Sequence, residues 1–148
     1  MKSTTKNWSL KLSLLIFALL LLGSCQQAGH LSVNSAWSRP TSEGSNGAAY
    51  FTINNPTPQQ DFLVAARCDI ATQVEIHMSN IRDDGVMEMV TQKNVPVDPG
   101  SSVKFEPGGL HVMLVNLQQD LNPGDTFELS LQFQNAGEIP VNIEVLEN

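Results

Sequence analysis

Leu129-Ser130-Leu131-Gln132-Phe133-Gln134 and, after a short break, Val141-Asn142-Ile143-Glu144-Val145 alternate apolar and polar side chains one for one. Successive side chains of an extended strand point to opposite faces, so a period of two describes sheet with one face buried and the other wet. Toward the N-terminus, further short apolar runs are divided by turn-forming clusters: Asn54-Asn55-Pro56, Asp83-Asp84-Gly85, Asp98-Pro99-Gly100, Pro107-Gly108-Gly109 and Asn122-Pro123-Gly124-Asp125. No long helical stripe, internal repeat or low-complexity segment interrupts them. Short strands at this spacing predict an all-β fold, an antiparallel sandwich or barrel.

The first residues differ in kind. Lys2, Lys6 and Lys11 accompany an apolar run from Leu12 to Leu22 that is too short to span a bilayer and ends in Leu22-Gly23-Ser24-Cys25. Small residues before a cysteine at this position look like a bacterial lipobox. Residues 1–24 are therefore expected to be a cleaved lipoprotein signal peptide, 25–32 a lipidated N-terminus and short tether with the lipid on Cys25, and 33–148 one folded domain. The protein is expected on the periplasmic side of a bacterial membrane, with the choice between inner and outer membrane left open. Loss of three lysines takes the net charge from −7 to about −10. So acidic a chain is a poor partner for nucleic acid.

Histidine occurs three times in the chain and methionine five, the initiator included. Most of them fall in one pattern: His77-Met78, ten residues, Met89, twenty-one residues, His111-x-Met113. Neutral imidazole and thioether donors suit a soft ion of low charge, and among the biological metals Cu(I) fits best. They leave its single positive charge in place and offer little to Zn(II) or Mg(II). Thioethers also persist where thiols pair into disulfides.

This pattern resembles that of the periplasmic copper chaperone family PCu(A)C. The likeness runs from about Val33 to Val145 and includes Ala36-Trp37-Ser38-Arg39-Pro40, Asn46-Gly47-Ala48-Ala49-Tyr50-Phe51 and Asp84-Gly85-Val86-Met87-Glu88-Met89. Its most specific stretches are Pro107-Gly108-Gly109-Leu110-His111-Val112-Met113-Leu114 and Leu121-Asn122-Pro123-Gly124-Asp125. The resemblance implies a cupredoxin-like antiparallel Greek-key β-sandwich holding one Cu(I) near its surface. It also implies transfer of copper toward cytochrome c oxidase, with an oxidase subunit or a thiol-bearing assembly factor as acceptor. The ligand set it implies is His77, Met89, His111 and Met113, with Met78 as an additional candidate. No His- and Met-rich tail of the kind some relatives carry precedes Asn148, so one Cu(I) per chain is expected; the chain is also expected to be a monomer.

Strand periodicity sorts these residues by face. Val74, Ile76 and Met78 share one side, which places Met78 in the core and His77 away from it. Leu110, Val112 and Leu114 form the core set of their strand, leaving His111 and Met113 together on an outward surface. Met87 and Met89 share a face, and the family spacing selects Met89. Glu75 and Glu88 are candidates to orient an imidazole. Gly108 and Gly109 are expected to turn the chain tightly before His111. Trp37 and Tyr50 are read as core or edge aromatics, Cys68 as a buried small hydrophobe and His30 as a solvated loop residue.

Other functions fit less well. An electron-carrying cupredoxin needs a thiolate beside a His and a Met in one loop, and Cys68 is remote in sequence from the final His-x-Met. A lipid-anchored copper buffer that retains its metal shares the same site and stays open. A metal-free adhesion sandwich would make the His and Met spacing accidental. No nucleophile triad, paired carboxylates or phosphate-binding glycine loop supports an enzyme.

Overall fold

The computed structural model describes residues 29–147. The expected signal peptide and Cys25 lie outside the described residues. Ten strands follow one another, with no helix among the described residues: β1 (Ser32–Ser38), β2 (Gly47–Asn55), β3 (Asp61–Arg67), β4 (Ala71–Ile81) and β5 (Met87–Thr91) are succeeded by β6 (Val95–Val97), β7 (Ser101–Phe105), β8 (Leu110–Leu117), β9 (Thr126–Phe133) and β10 (Gly137–Val145). They bond in the order β5-β4-β8-β7-β2-β1-β10-β9-β3-β6. Strands distant in sequence thus become neighbours, as Greek-key connections require. The fold is the cupredoxin-like β-sandwich.

The alternating stretches Leu129 to Gln134 and Val141 to Val145 form most of β9 and β10. Leu129 pairs with Val141, Leu131 with Ile139 and Phe127 with Ile143, so their apolar sets share one face. That face and Leu63 of β3 meet Phe51, Phe105, Val112 and Leu114 from the other half of the sheet across a single core. Phe51 and Phe105 stack with ring centroids 4.4 Å apart. β1 joins the halves, antiparallel to β2 and parallel to β10. A register shift between Asn34 and Trp37, with Ser35 at φ 52°, bends the strand where it passes from one layer to the other. This parallel pairing departs from the antiparallel arrangement expected throughout. Leu31, assigned to the tether by sequence, is 9% exposed and belongs to the core, so packing begins before residue 33.

Three Pro-Gly turns shape the strand ends. Ser101 donates its N–H to the Asp98 carbonyl at 3.2 Å, Gly109 to Glu106 at 3.0 Å and Asp125 to Asn122 at 3.0 Å. In each the glycine after proline has positive φ, 81° at Gly108, a region that costs most L-residues about 1–2 kcal/mol. The turn at Pro107-Gly108 interrupts what is otherwise one continuous partner for β2. β7 pairs with Phe51 to Asn55, and β8 takes over at Ala49 to Gly47. The expected tight turn before His111 is therefore present, and it fixes where β8 starts.

Candidate metal centre

Register determines which side chains meet. β4 and β8 run antiparallel with His77 opposite His111 and Glu75 opposite Met113, so all four project from one face. β5 adds to that face from the other side, with Met89 opposite Ser79 and Thr91 opposite His77. β2 closes the far side, with Ala48 opposite Met113. The imidazoles of His77 and His111 meet edge to face with centroids 5.7 Å apart. Beside them an open cleft of about 440 Å³ is lined by Met89, His111 and Met113, together with Tyr50, Ser79 and Met87. His77 does not itself line this cleft. It lies against His111, with a side chain 12% exposed.

The hydrogen bonds set the state of each ring. A carboxylate accepts, so the 2.7 Å contact between His77 Nε2 and Glu75 Oε2 puts the proton of the neutral ring on Nε2. Thr91 Oγ1 lies 3.3 Å from the same nitrogen. Nδ1 of His77 is then a bare lone pair, and it is buried with no hydrogen-bond partner. Leaving such an acceptor unmatched costs about 1–3 kcal/mol. His111 is the mirror case: its Nδ1–H donates to the Gly109 carbonyl at 3.1 Å, which leaves Nε2 as the lone pair. Each imidazole is therefore oriented through one nitrogen and free to ligate through the other, the arrangement that metal-binding histidines use. Gln73 donates to the second oxygen of Glu75 and steadies the carboxylate. Among the described residues no trio of His, Cys, Asp and Glu is placed to hold a harder ion. The two imidazoles and the thioethers gathered here are donors of the kind that fits Cu(I).

Several sequence readings change in detail. Met78 does face away from His77, but it is half-buried and outside the core, between Leu110 of β8 and Val90 of β5. β4 is next to the edge of the sheet there. Met78 is on the wrong face to join the cleft. His111, expected on an outward surface, is only 5% exposed, because the cleft walls from Arg39 to Thr41 and from Pro107 to Gly108 rise around it. Tyr50 is buried at 8% exposure, as a core or edge aromatic should be, and it is also a wall of the cleft. Its ring lies 4.7 Å from Trp37, over which the Arg39 guanidinium sits at 6.0 Å. Of the two acidic candidates, Glu75 contacts an imidazole, whereas Glu88 is exposed opposite Asn80.

Cys68 lies away from the cleft, just after β3, packed against the core, with Sγ–H donating to the Glu128 carbonyl at 3.3 Å. Burial raises its pKa above the ordinary thiol value. That is the small-hydrophobe reading. A larger depression of about 730 Å³ lies near Gly29 and Leu31, and its central acid is already committed. Asp61 accepts N–H bonds from Phe62, Asn135 and Ala136.

A model of the family described as "Putative lipoprotein LpqE-like" matches residues 31–145. The chain belongs to the LpqE-like family. The likeness to PCu(A)C seen in the sequence agrees with this, since solved PCuAC domains share the fold of this LpqE-like chain. It is 36% identical over 114 residues to "Uncharacterized protein RP573" of Rickettsia prowazekii, covering 74% of this chain and 62% of that protein. The LpqE-like chain thus spans about three fifths of that relative's length. The apo PCuAC domain from PmoF1 superposes with a TM-score of 0.70 at 25% identity, covering 82% of this chain and 98% of that domain. The solution structure of CuI-DR1885 from Deinococcus radiodurans gives 0.60 at 25% identity, with 87% of each chain covered.

Proposed function

We propose that this protein is an extracytoplasmic Cu(I) chaperone that binds one Cu(I) through His77, Met89, His111 and Met113. The observation that carries the reading is the cross-strand histidine pair. Two imidazoles, each held through one nitrogen by an acceptor, lie against each other at a cleft that His111 lines with the thioethers of Met87, Met89 and Met113, and the free nitrogen of His77 is buried without a partner. The similarity to CuI-DR1885 supports Cu(I) as the ion. With residues 1–24 as signal peptide and lipid on Cys25, the domain would work as a monomer at a periplasmic membrane surface. Delivery to a membrane acceptor, an oxidase copper subunit or a thiol-bearing assembly factor, suits neutral ligands, which leave the ion free to accept an incoming donor as one leaves.

Anaerobic titration with Cu(I) should saturate at one ion per chain and give a colourless complex. Mixing with a copper-free oxidase subunit should then transfer the ion at a rate that rises with acceptor concentration and exceeds the off-rate to an inert chelator. A transfer rate equal to that off-rate at every acceptor concentration would overturn delivery and make the protein a buffer.

A further inference from the structure

The four-ligand reading leaves one thioether of the cleft unused. Met87 and Met89 stand two residues apart on β5, so their side chains leave the same face, and both line the cleft with His111 and Met113. β5 is the edge of the sheet, and all five of its residues are exposed. Met87 is 57% exposed and Met89 51%, so neither gains much from burial. Met113, by contrast, is half-buried on β8 between β4 and β2. One side of the donor set is thus fixed within the sheet, and the other is a pair of equivalent sulfurs at an open edge. Methionine is unbranched and turns about three side-chain bonds, so either sulfur can swing over the cleft without moving the strand.

We infer that Met87 is a second edge thioether for the metal, interchangeable with Met89, through which Cu(I) enters and leaves the site. This rests on the Cu(I) reading above. Entry begins with a Cu–S bond to Met87, and the donor's bond breaks. A bond to Met89 then forms as that to Met87 breaks, with both thioethers neutral and the ion Cu(I) throughout. Departure runs the same steps backward. A lone methionine would have to release the ion before an acceptor could hold it at the cleft mouth, whereas a pair lets one sulfur stay bound while the other is displaced.

The test uses the purified protein and its Met87→Leu, Met89→Leu and doubly substituted variants. Leucine keeps size and apolarity at exposed positions, and thermal unfolding of the metal-free proteins confirms that all fold alike. Equilibrium affinity is read by competition with a Cu(I) chelator, and the rate of metal loss by stopped flow with a large excess of it. Met87→Leu should keep affinity within about threefold of wild type yet slow metal loss at least fivefold. The double variant should bind at least tenfold more weakly than Met89→Leu, in which Met87 can substitute. An unchanged rate in Met87→Leu, or a double variant equal in affinity to Met89→Leu, would overturn the inference. Failure of the wild type to bind Cu(I) is a different result, and it would defeat the chaperone reading itself.

Discussion

Replacing Glu75 by Gln removes one charge and one tautomer constraint while keeping the shape of the side chain. Glu75 Oε2 lies 2.7 Å from His77 Nε2, with the two side chains 30% and 12% exposed. A hydrogen bond to a charged partner is worth about 1.5–3 kcal/mol, and the partial exposure of Glu75 puts this one at the lower end. The glutamine carbonyl can still accept from Nε2–H, but more weakly. Its amide N–H₂, turned the other way, would donate to Nε2 and drive the imidazole proton to Nδ1, the nitrogen assigned to the metal. Both effects lower affinity. Loss of such an orienting partner typically weakens metal binding by about 10–100-fold, which is about 1.4–2.7 kcal/mol. Competition with a chromophoric Cu(I) chelator under anaerobic conditions measures it directly. The metal-free variant should unfold within about 1 kcal/mol of wild type, because a partly exposed pair contributes little to stability. An affinity within twofold of wild type would refute the assignment of Nδ1 as the ligating atom.

Met113→Leu should lose at least tenfold in Cu(I) affinity, about 1.4 kcal/mol, whereas Met78→Leu should stay near wild type because its side chain leaves the opposite face of β4; the reverse ranking in the same competition assay would contradict the register argument. Cys68, with its pKa raised by burial, holds less thiolate than a free cysteine at pH 8, so iodoacetamide should alkylate it more slowly in the folded protein than in urea. Equal rates in the two conditions would show it to be open to solvent. Phe51→Ala removes a ring that is 1% exposed and stacked on Phe105, and should cost about 3–5 kcal/mol in urea unfolding. A loss below about 1 kcal/mol would mean that the two layers do not meet there.

The parts of the fold legible in the sequence are those where one face is buried and the other wet. β9 and β10 show this as clean alternation, broken only at Gln134 to Ala136, where the chain turns between them. β5 shows nothing of the kind, because an edge strand with every residue exposed imposes no period on its side chains. The parallel contact of β1 with β10 was also hidden, since it depends on a bulge that sends one strand between layers. For the site, composition and spacing named the imidazoles and thioethers, and alternation set their faces correctly on β4 and β8. Tyr50 is buried as read, and its place on the cleft was legible too. Ala49, Phe51 and Ile53 are the core set of β2, which leaves Ala48 and Tyr50 on the cleft side. The contact between His77 and Glu75 was legible as a candidate because the two share a face of β4, whereas the burial of His111 arises from side-chain packing that no linear pattern encodes.

A mixed imidazole and thioether site for a single Cu(I) has a distinct spectroscopic signature. X-ray absorption at the copper edge of the Cu(I)-loaded protein tests it most directly, because nitrogen and sulfur scatter distinguishably in the first shell. Both shells are expected, about two nitrogens and two sulfurs per copper, with the nitrogen shell reduced in His77→Ala and in His111→Ala. A first shell of sulfur alone, or of nitrogen and oxygen without sulfur, would contradict it.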